Sequence, residues 1–302
     1  MQKFSGFVSI IGLPNSGKST LLNAVLGEQI SIVTPKPQTT RNNIFGIYTK
    51  NNYQIVFIDT PGILEPKYKM HKYMKNEISH SLKDSDLILT VIDAANYKFI
   101  NFKKDFKNVL PAIQKINSIC VLNKIDLIKK ENLLLLIDEV RKIFIFDEII
   151  PVSALKNFNI SELIKIIYKY LPENEFYYNN EIITPQSEKF FVSEIIRMNI
   201  LKIFKDEIPF SVFVDIDEFT ERTKGKYYIK VIIYVEKESQ KAILIGNAGS
   251  KIKKLGELSR KLIEDFLNHS IFLDMYVKVK KNWKNDDAFL KRNFNKLSAA
   301  IN

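Results

Sequence analysis

Residues 12–19 read GLPNSGKS, and this stretch decides the fold of the amino-terminal half. It follows the apolar run FVSII (7–11) and opens the helical pattern KSTLLNAVL (18–26), so a strand, a glycine turn and a helix follow in order. In the pattern G-x4-G-K-S, Gly12 and Gly17 let backbone N–H groups curl around phosphates. Lys18 supplies positive charge to the β and γ groups, and the Ser19 hydroxyl suits a Mg²⁺ ion. The motif implies a nucleotide without saying which one.

Forty residues past Ser19, the run YQIVFID ends in Asp59-Thr60-Pro61-Gly62. An acid at the carboxyl end of a strand near a phosphate loop can hold the metal through water, and Gly62 offers an N–H that no side chain screens. Asn123-Lys124-Ile125-Asp126 follows the strand-like run SICVL. The Asp126 carboxylate can accept from both N1–H and the exocyclic amine of guanine, a pair that adenine does not offer. An unpaired buried acceptor costs ~1–3 kcal/mol, so the site should discriminate against ATP. After EIIPV, Ser153 and Ala154 can offer a backbone N–H to the guanine oxygen.

Between these motifs, GEQISIVTPKPQTTRNN (27–43) is too irregular for one element and reads as a loop over the phosphates. Thr40, with Thr39 as the alternative, would complete the Mg²⁺ shell only when γ-phosphate is present. Ile63 follows DTPG and has no group that orients water, so hydrolysis should be slow or assisted. No catalytic residue is assigned. The Asn15 side chain is a candidate ligand for K⁺ beside the phosphates, or else a brace for the loop.

Outward from these motifs, short β-branched runs at 7–11, 44–48, 53–58, 87–92, 119–122 and 149–152 alternate with helical patterns at 18–26, 68–82, 131–144 and 160–170. This predicts an α/β domain, a mostly parallel sheet with helices on both faces, over residues 1–172. Residues 173–186, polar and bounded by Pro172 and Pro185, read as a linker. From 187 to 302 the order is α, β, β, α, α, β, a small α+β domain that begins with an amphipathic helix over SEKFFVSEIIRMNILKIF.

Gly246-Asn247-Ala248-Gly249 lies at the α–α junction, followed by Ser250, Lys251, Lys253 and Lys254. Two glycines there let a nucleic-acid backbone approach closely, beside a helix N-terminus and lysines that favour phosphate. Residues 237–261 hold seven basic and two acidic side chains. The net charge of +11 and pI near 9.3 suit a polyanionic partner, although lysines on solvated faces also serve solubility. Trp283 and Phe289 read as core in preference to base-stacking platforms. No apolar run approaches the ~20 residues of a membrane span, and the start MQKFSGFVSIIG lacks a secretory pattern, so a cytoplasmic protein is expected. The single Cys120 sits in an apolar run as a small hydrophobe.

Taken together, GLPNSGKST, PQTTR, DTPGI, NKID, SEIIR (193–197), IGNAGSKIK and YVKVKKNWKND make the chain resemble the Era family of bacterial GTPases over nearly its whole length. The resemblance implies a P-loop GTPase domain followed by a type II KH domain. It further implies a GTP/GDP switch with Mg²⁺ and slow GTP hydrolysis stimulated by RNA. Binding near the 3′ end of small-subunit (16S) ribosomal RNA, a role in assembling the 30S subunit from its precursor, and partial peripheral association with the inner membrane also follow from it. Carried onto this chain, Gly12, Leu13, Pro14, Asn15, Ser16, Gly17, Lys18, Ser19 and Thr20 would bind phosphates and Mg²⁺, with Thr40 as the switch threonine. Asp59 to Gly62 would form the second switch, Asn123, Lys124 and Asp126 would contact the base, and Gly246 to Gly249 would line the RNA groove. Leu13 stands where the family often has arginine. A monomer is the expected state. The competing reading is a membrane-associated or cell-cycle signalling GTPase that acts through a protein effector.

Overall fold

Predominantly apolar strands are buried on both faces, and the computed structural model of the chain, which describes residues 2–298 and their side chains through residue 294, builds its first sheet from such strands. The expected boundary at 302 lies outside the described residues. The chain divides into two compact units, one formed mainly by residues up to 185 and the other from 186 onward.

In the first unit β1 (Phe4–Ile11), β2 (Ile44–Lys50), β3 (Tyr53–Asp59), β4 (Leu87–Asp93), β5 (Ser118–Asn123) and β6 (Glu148–Pro151) form one sheet in the order β2-β3-β1-β4-β5-β6. All neighbours run parallel except β2, which joins β3 as an antiparallel edge. The register sets Ile10 beside Asp59 and Asp93 beside Asn123, so the loops leaving β1, β3, β4 and β5 share one end of the sheet. The helices are α1 (Lys18–Leu26), α2 (Lys69–Lys83), the single turns α3 (Phe102–Asp105) and α4 (Leu110–Ile113), α5 (Lys130–Ile143) and α6 (Ile160–Tyr168). α1 ends where Gly27 turns left-handed and returns its N–H to the Asn23 carbonyl at 2.9 Å. Residues 99–116, to which the sequence reading gave no element, pack Phe99, Phe102 and Phe106 against Phe144 and Phe146.

The stretch expected as a linker, 173–186, is not a free tether. Glu173 bridges Phe4, Gln54 exchanges two bonds with the Tyr178 backbone, and Ile47 N–H donates to Ile183 O at 2.7 Å along the free edge of β2. Most of its polar side chains face solvent, Gln186 being buried, while its backbone and rings are anchored; Tyr177 packs on Phe7 at 4.6 Å between centroids.

The second unit contains α7 (Glu188–Ile203), the turn α8 (Ile208–Ser211), β7 (Phe213–Thr220), β8 (Tyr227–Val235), α9 (Glu238–Ile245), α10 (Ser250–Leu267), β9 (Ile271–Val279) and α11 (Asp287–Ser298). β8 lies between antiparallel β7 and parallel β9. The expectation of an amphipathic first helix fails for α7, which is buried nearly all round from Phe190 to Leu201. Its buried polar residues find protein partners: Arg197 pairs with Glu194, and Asn199 donates to Ser259 Oγ of α10 at 3.1 Å.

Trp283 and Phe289 are core. With Phe213 and Tyr234 they form an aromatic cluster, and Trp283 Nε1 donates to Ser211 O at 3.1 Å. Truncating Phe289 to alanine leaves a cavity there and should destabilise the second unit by ~3–5 kcal/mol. Urea unfolding followed by fluorescence of Trp283, the sole tryptophan, checks this. GDP affinity should be unchanged.

Candidate functional site

The turn between β1 and α1 is held open by its glycines. Gly17 is left-handed at φ 96°, and a Cβ there would lie 2.2 Å from Asn123 Nδ2. The Asn123 carboxamide donates to Ser16 O at 2.9 Å and accepts from Ala154 N–H at 3.0 Å, so one buried side chain joins three loops. The unpaired N–H groups at the start of α1 face the opening, a ready site for phosphate. Lys18 curls back over the turn, its Nζ donating to Gly12 O at 3.2 Å and Leu13 O at 3.0 Å. Leu13 itself packs against the hydrophobic core, which explains how an apolar residue is accommodated there.

Burial lowers the Lys18 amine to about 8, against the opposing pull of Asp59. Burial likewise raises the Asp59 carboxyl, countered first by Lys18 and then by hydrogen bonds from Ser19, Ser31 and Thr40. Ser19 Oγ donates to Asp59 Oδ2 at 2.6 Å and lies 3.0 Å from Thr40 Oγ1, while Ser31 Oγ reaches the same Asp59 oxygen at 3.0 Å. Asp59 Oδ1 is buried with no hydrogen-bond partner among the described residues. Two hydroxyl oxygens beside an unsatisfied carboxylate are hard donors of the kind that Mg²⁺ takes, so the residues present fit that ion. Thr39 does not share this cluster: its hydroxyl donates to Lys36 O at 2.6 Å and meets Thr34 Oγ1 inside the loop.

A cleft of about 560 Å³ collects Pro14, Asn15, Gly17, Lys18, Ser19, Thr20, Thr39, Thr40, Gly62, Asn123, Lys124 and Asp126. The remaining candidates lie beneath or beside it. Thr60 Oγ1 donates to Ile10 O at 2.8 Å, Ile63 is in the core, and Ile125 packs against that core. Asp126 accepts from Ser153 Oγ at 2.6 Å, which fixes its carboxylate at the cleft wall. The Ser153 and Ala154 amides, expected to offer an N–H to the guanine oxygen, make bonds within the loops in this structure. Ser153 N–H is taken by Phe158 O at 3.2 Å and Ala154 N–H by Asn123, so both brace the loop.

Asn15 is left-handed at φ 64°; its side-chain Nδ2 donates to Pro35 O at 3.1 Å and its backbone carbonyl accepts from Lys124 Nζ at 2.7 Å. Lys124 also pairs with Asp93 at 2.7 Å. Asp93, Ser31 and the cleft-lining Leu155 are site residues that sequence reasoning missed. Asp93 had a visible signal: it ends β4 as Asp59 ends β3 and Asn123 ends β5.

In the second unit Gly246, at φ 73°, ends α9, and a Cβ there would meet Lys251 Cγ at 2.7 Å. Gly249 opens α10 with free space where a side chain would stand. Asn247, Ala248, Ser250, Lys251, Lys253 and Lys254 are exposed around this loop. The first-turn N–H groups of the 18-residue α10 and three lysines thus surround a loop whose backbone is open at Gly249, while the Lys251 stem lies against Gly246.

Gly17→Ala should weaken both GTP and GDP by about a hundredfold or more, since it adds left-handed strain and a clash with Asn123. Titration with fluorescent nucleotides checks this, with circular dichroism to confirm that the variant folds.

Two family models match the chain: a 50S ribosome-binding GTPase model over residues 7–124 and a KH domain model over residues 207–284. The GTPase Era of Clostridium kluyveri is 44% identical over 289 residues, 95% of this chain and 97% of that protein. The GTPase Era of Ruminiclostridium cellulolyticum is 43% identical, covering 95% and 96%. Among solved structures, Era in complex with MgGDPNP and nucleotides 1506–1542 of 16S ribosomal RNA is 37% identical with a TM-score of 0.91, over 96% of this chain and 98% of that one. An Aquifex aeolicus Era variant bound to GDP·AlF4⁻ is 36% identical with a TM-score of 0.89, covering 95% and 98%. With the nucleotide loops and the glycine-gated second unit both inside that agreement, the chain belongs to the Era family of GTPases.

Proposed function

We propose that the chain is a GTP-controlled factor that binds small-subunit ribosomal RNA near its 3′ end and assists assembly of the 30S subunit. The observation that carries this reading is the loop Gly246–Gly249, open at Gly249 and flanked by exposed lysines, in a chain whose Era relative is solved with nucleotides 1506–1542 of 16S ribosomal RNA. In the nucleotide cleft, Lys18 and the α1 N-terminus bind phosphate, and the Asp126 carboxylate reads guanine. Ser19 and Thr40 would hold Mg²⁺ directly and Asp59 through water; the ion supplies charge neutralisation at the β and γ groups when bound. Because Ile63 is turned into the core, that position orients no water, which supports slow intrinsic hydrolysis.

Replacing Gly246 and Asn247 together with aspartate should abolish binding of a 3′-terminal 16S oligonucleotide in a filter assay and spare GTP affinity. Unchanged RNA affinity would sink the reading. The same lysines would attract an anionic membrane surface. Binding to phosphatidylglycerol vesicles with no RNA binding would favour the membrane-associated alternative instead.

The Asn15 side chain beside the phosphates supports a K⁺-assisted reaction, in which the cation offsets charge that an arginine would otherwise meet. Hydrolysis should then run faster in potassium than in sodium buffer, and Asn15→Ala should remove the difference. Equal rates in the two salts for the unaltered protein would refute it.

A further inference from the structure

The loop that carries Thr40 is fastened at its far end to α2. Asn43 Nδ2 donates to the backbone carbonyl of Glu77 at 3.0 Å, and Asn43 N–H reaches Glu77 Oε2 at 3.4 Å. Between Thr40 and this fastening lie only Arg41 and Asn42, both buried, and β2 begins immediately after it at Ile44. Three residues of chain span at most about 11 Å when fully extended. While Asn43 is held, Thr40 stays within that reach of α2, and its hydroxyl now lies 3.0 Å from Ser19 Oγ.

Helix α2 follows the DTPG segment after a short irregular connection, so the contact joins the two stretches that flank the γ-phosphate position. We infer that Asn43 and Glu77 form a latch that positions Thr40 over the metal site, and that the latch selects GTP over GDP. The inference rests on Thr40 as the ligand engaged only with γ-phosphate. Asn43 and Glu77 are positioning residues: they act through Thr40 and touch no nucleotide. A GDP-bound site makes no use of Thr40, so its affinity does not depend on the latch. A triphosphate site does, because a released loop must be ordered again on binding.

The test measures affinities for GDPNP with Mg²⁺ and for GDP, single-turnover GTP hydrolysis and melting temperature. The proteins compared are the full chain, Thr40→Ala, Asn43→Ala, the double variant, Glu77→Ala and Glu77→Gln. Asn43→Ala should weaken GDPNP about fivefold, the loss of one neutral hydrogen bond, and slow hydrolysis while GDP affinity stays constant. In the Thr40→Ala background the same change should have no further effect, a non-additivity that a merely structural role would not produce. Glu77→Ala should act in the same direction more weakly, and Glu77→Gln, which keeps an acceptor for Asn43 N–H, should restore wild-type behaviour. Equal weakening of GDP and GDPNP, or additive effects of Thr40→Ala and Asn43→Ala, would overturn the latch. GDPNP affinity unaffected by Thr40→Ala would instead overturn the assignment of Thr40 on which it rests.

Discussion

One carboxamide holds the nucleotide cleft together. Asn123 sits at the end of β5 with its nitrogen on the carbonyl of Ser16 and its oxygen on the amide of Ala154, pressed against the bare α-carbon of Gly17. The loop from β1, the loop from β5 and the loop from β6 therefore cannot shift independently. The parallel register makes this possible, because it delivers the ends of these strands to one edge at matching heights. A neighbouring brace repeats the logic at the rim, where Lys124 spans from the Asn15 carbonyl to Asp93.

Within that frame the electrostatics are unbalanced. Lys18 and Asp59 are both buried, and burial works against the charged form of each. Opposite charges partly offset this, but Asp59 Oδ1 remains unpartnered among the described residues. A bound phosphate and cation would satisfy both groups together, so nucleotide and metal should reinforce each other's binding through the charges they relieve.

The first unit was legible because its strands are predominantly apolar runs that end in chemically distinctive residues, and the order α, β, β, α, α, β of the second unit was legible too. Polar residues misled where tertiary partners absorb them. The helix expected to be amphipathic instead buries Ser193, Glu194, Arg197 and Asn199, which bond within α7 or, for Asn199, to Ser259 of α10. The polar run after Pro172 read as a linker, and that its backbone is bonded to β1, β2 and Gln54 shows only in three dimensions. In FINFKKDFKNVLPAIQ the phenylalanines stand at 99, 102 and 106, a helical spacing of 3 and 4 that the sequence reading passed over, and they build the aromatic cluster with Phe144 and Phe146. Asn43 and Glu77, 34 positions apart, show their contact only in three dimensions.

The anchored segment along β2 also changes what the first sheet offers to other molecules. A sheet normally presents two edges whose unpaired backbone can recruit a strand from elsewhere. Here Ile183 occupies part of one edge, and the other ends in β6, four residues long and closed by Pro151. Strand addition is thereby discouraged on both sides, which protects the unit from edge-to-edge aggregation and leaves recognition to its loops and helix surfaces.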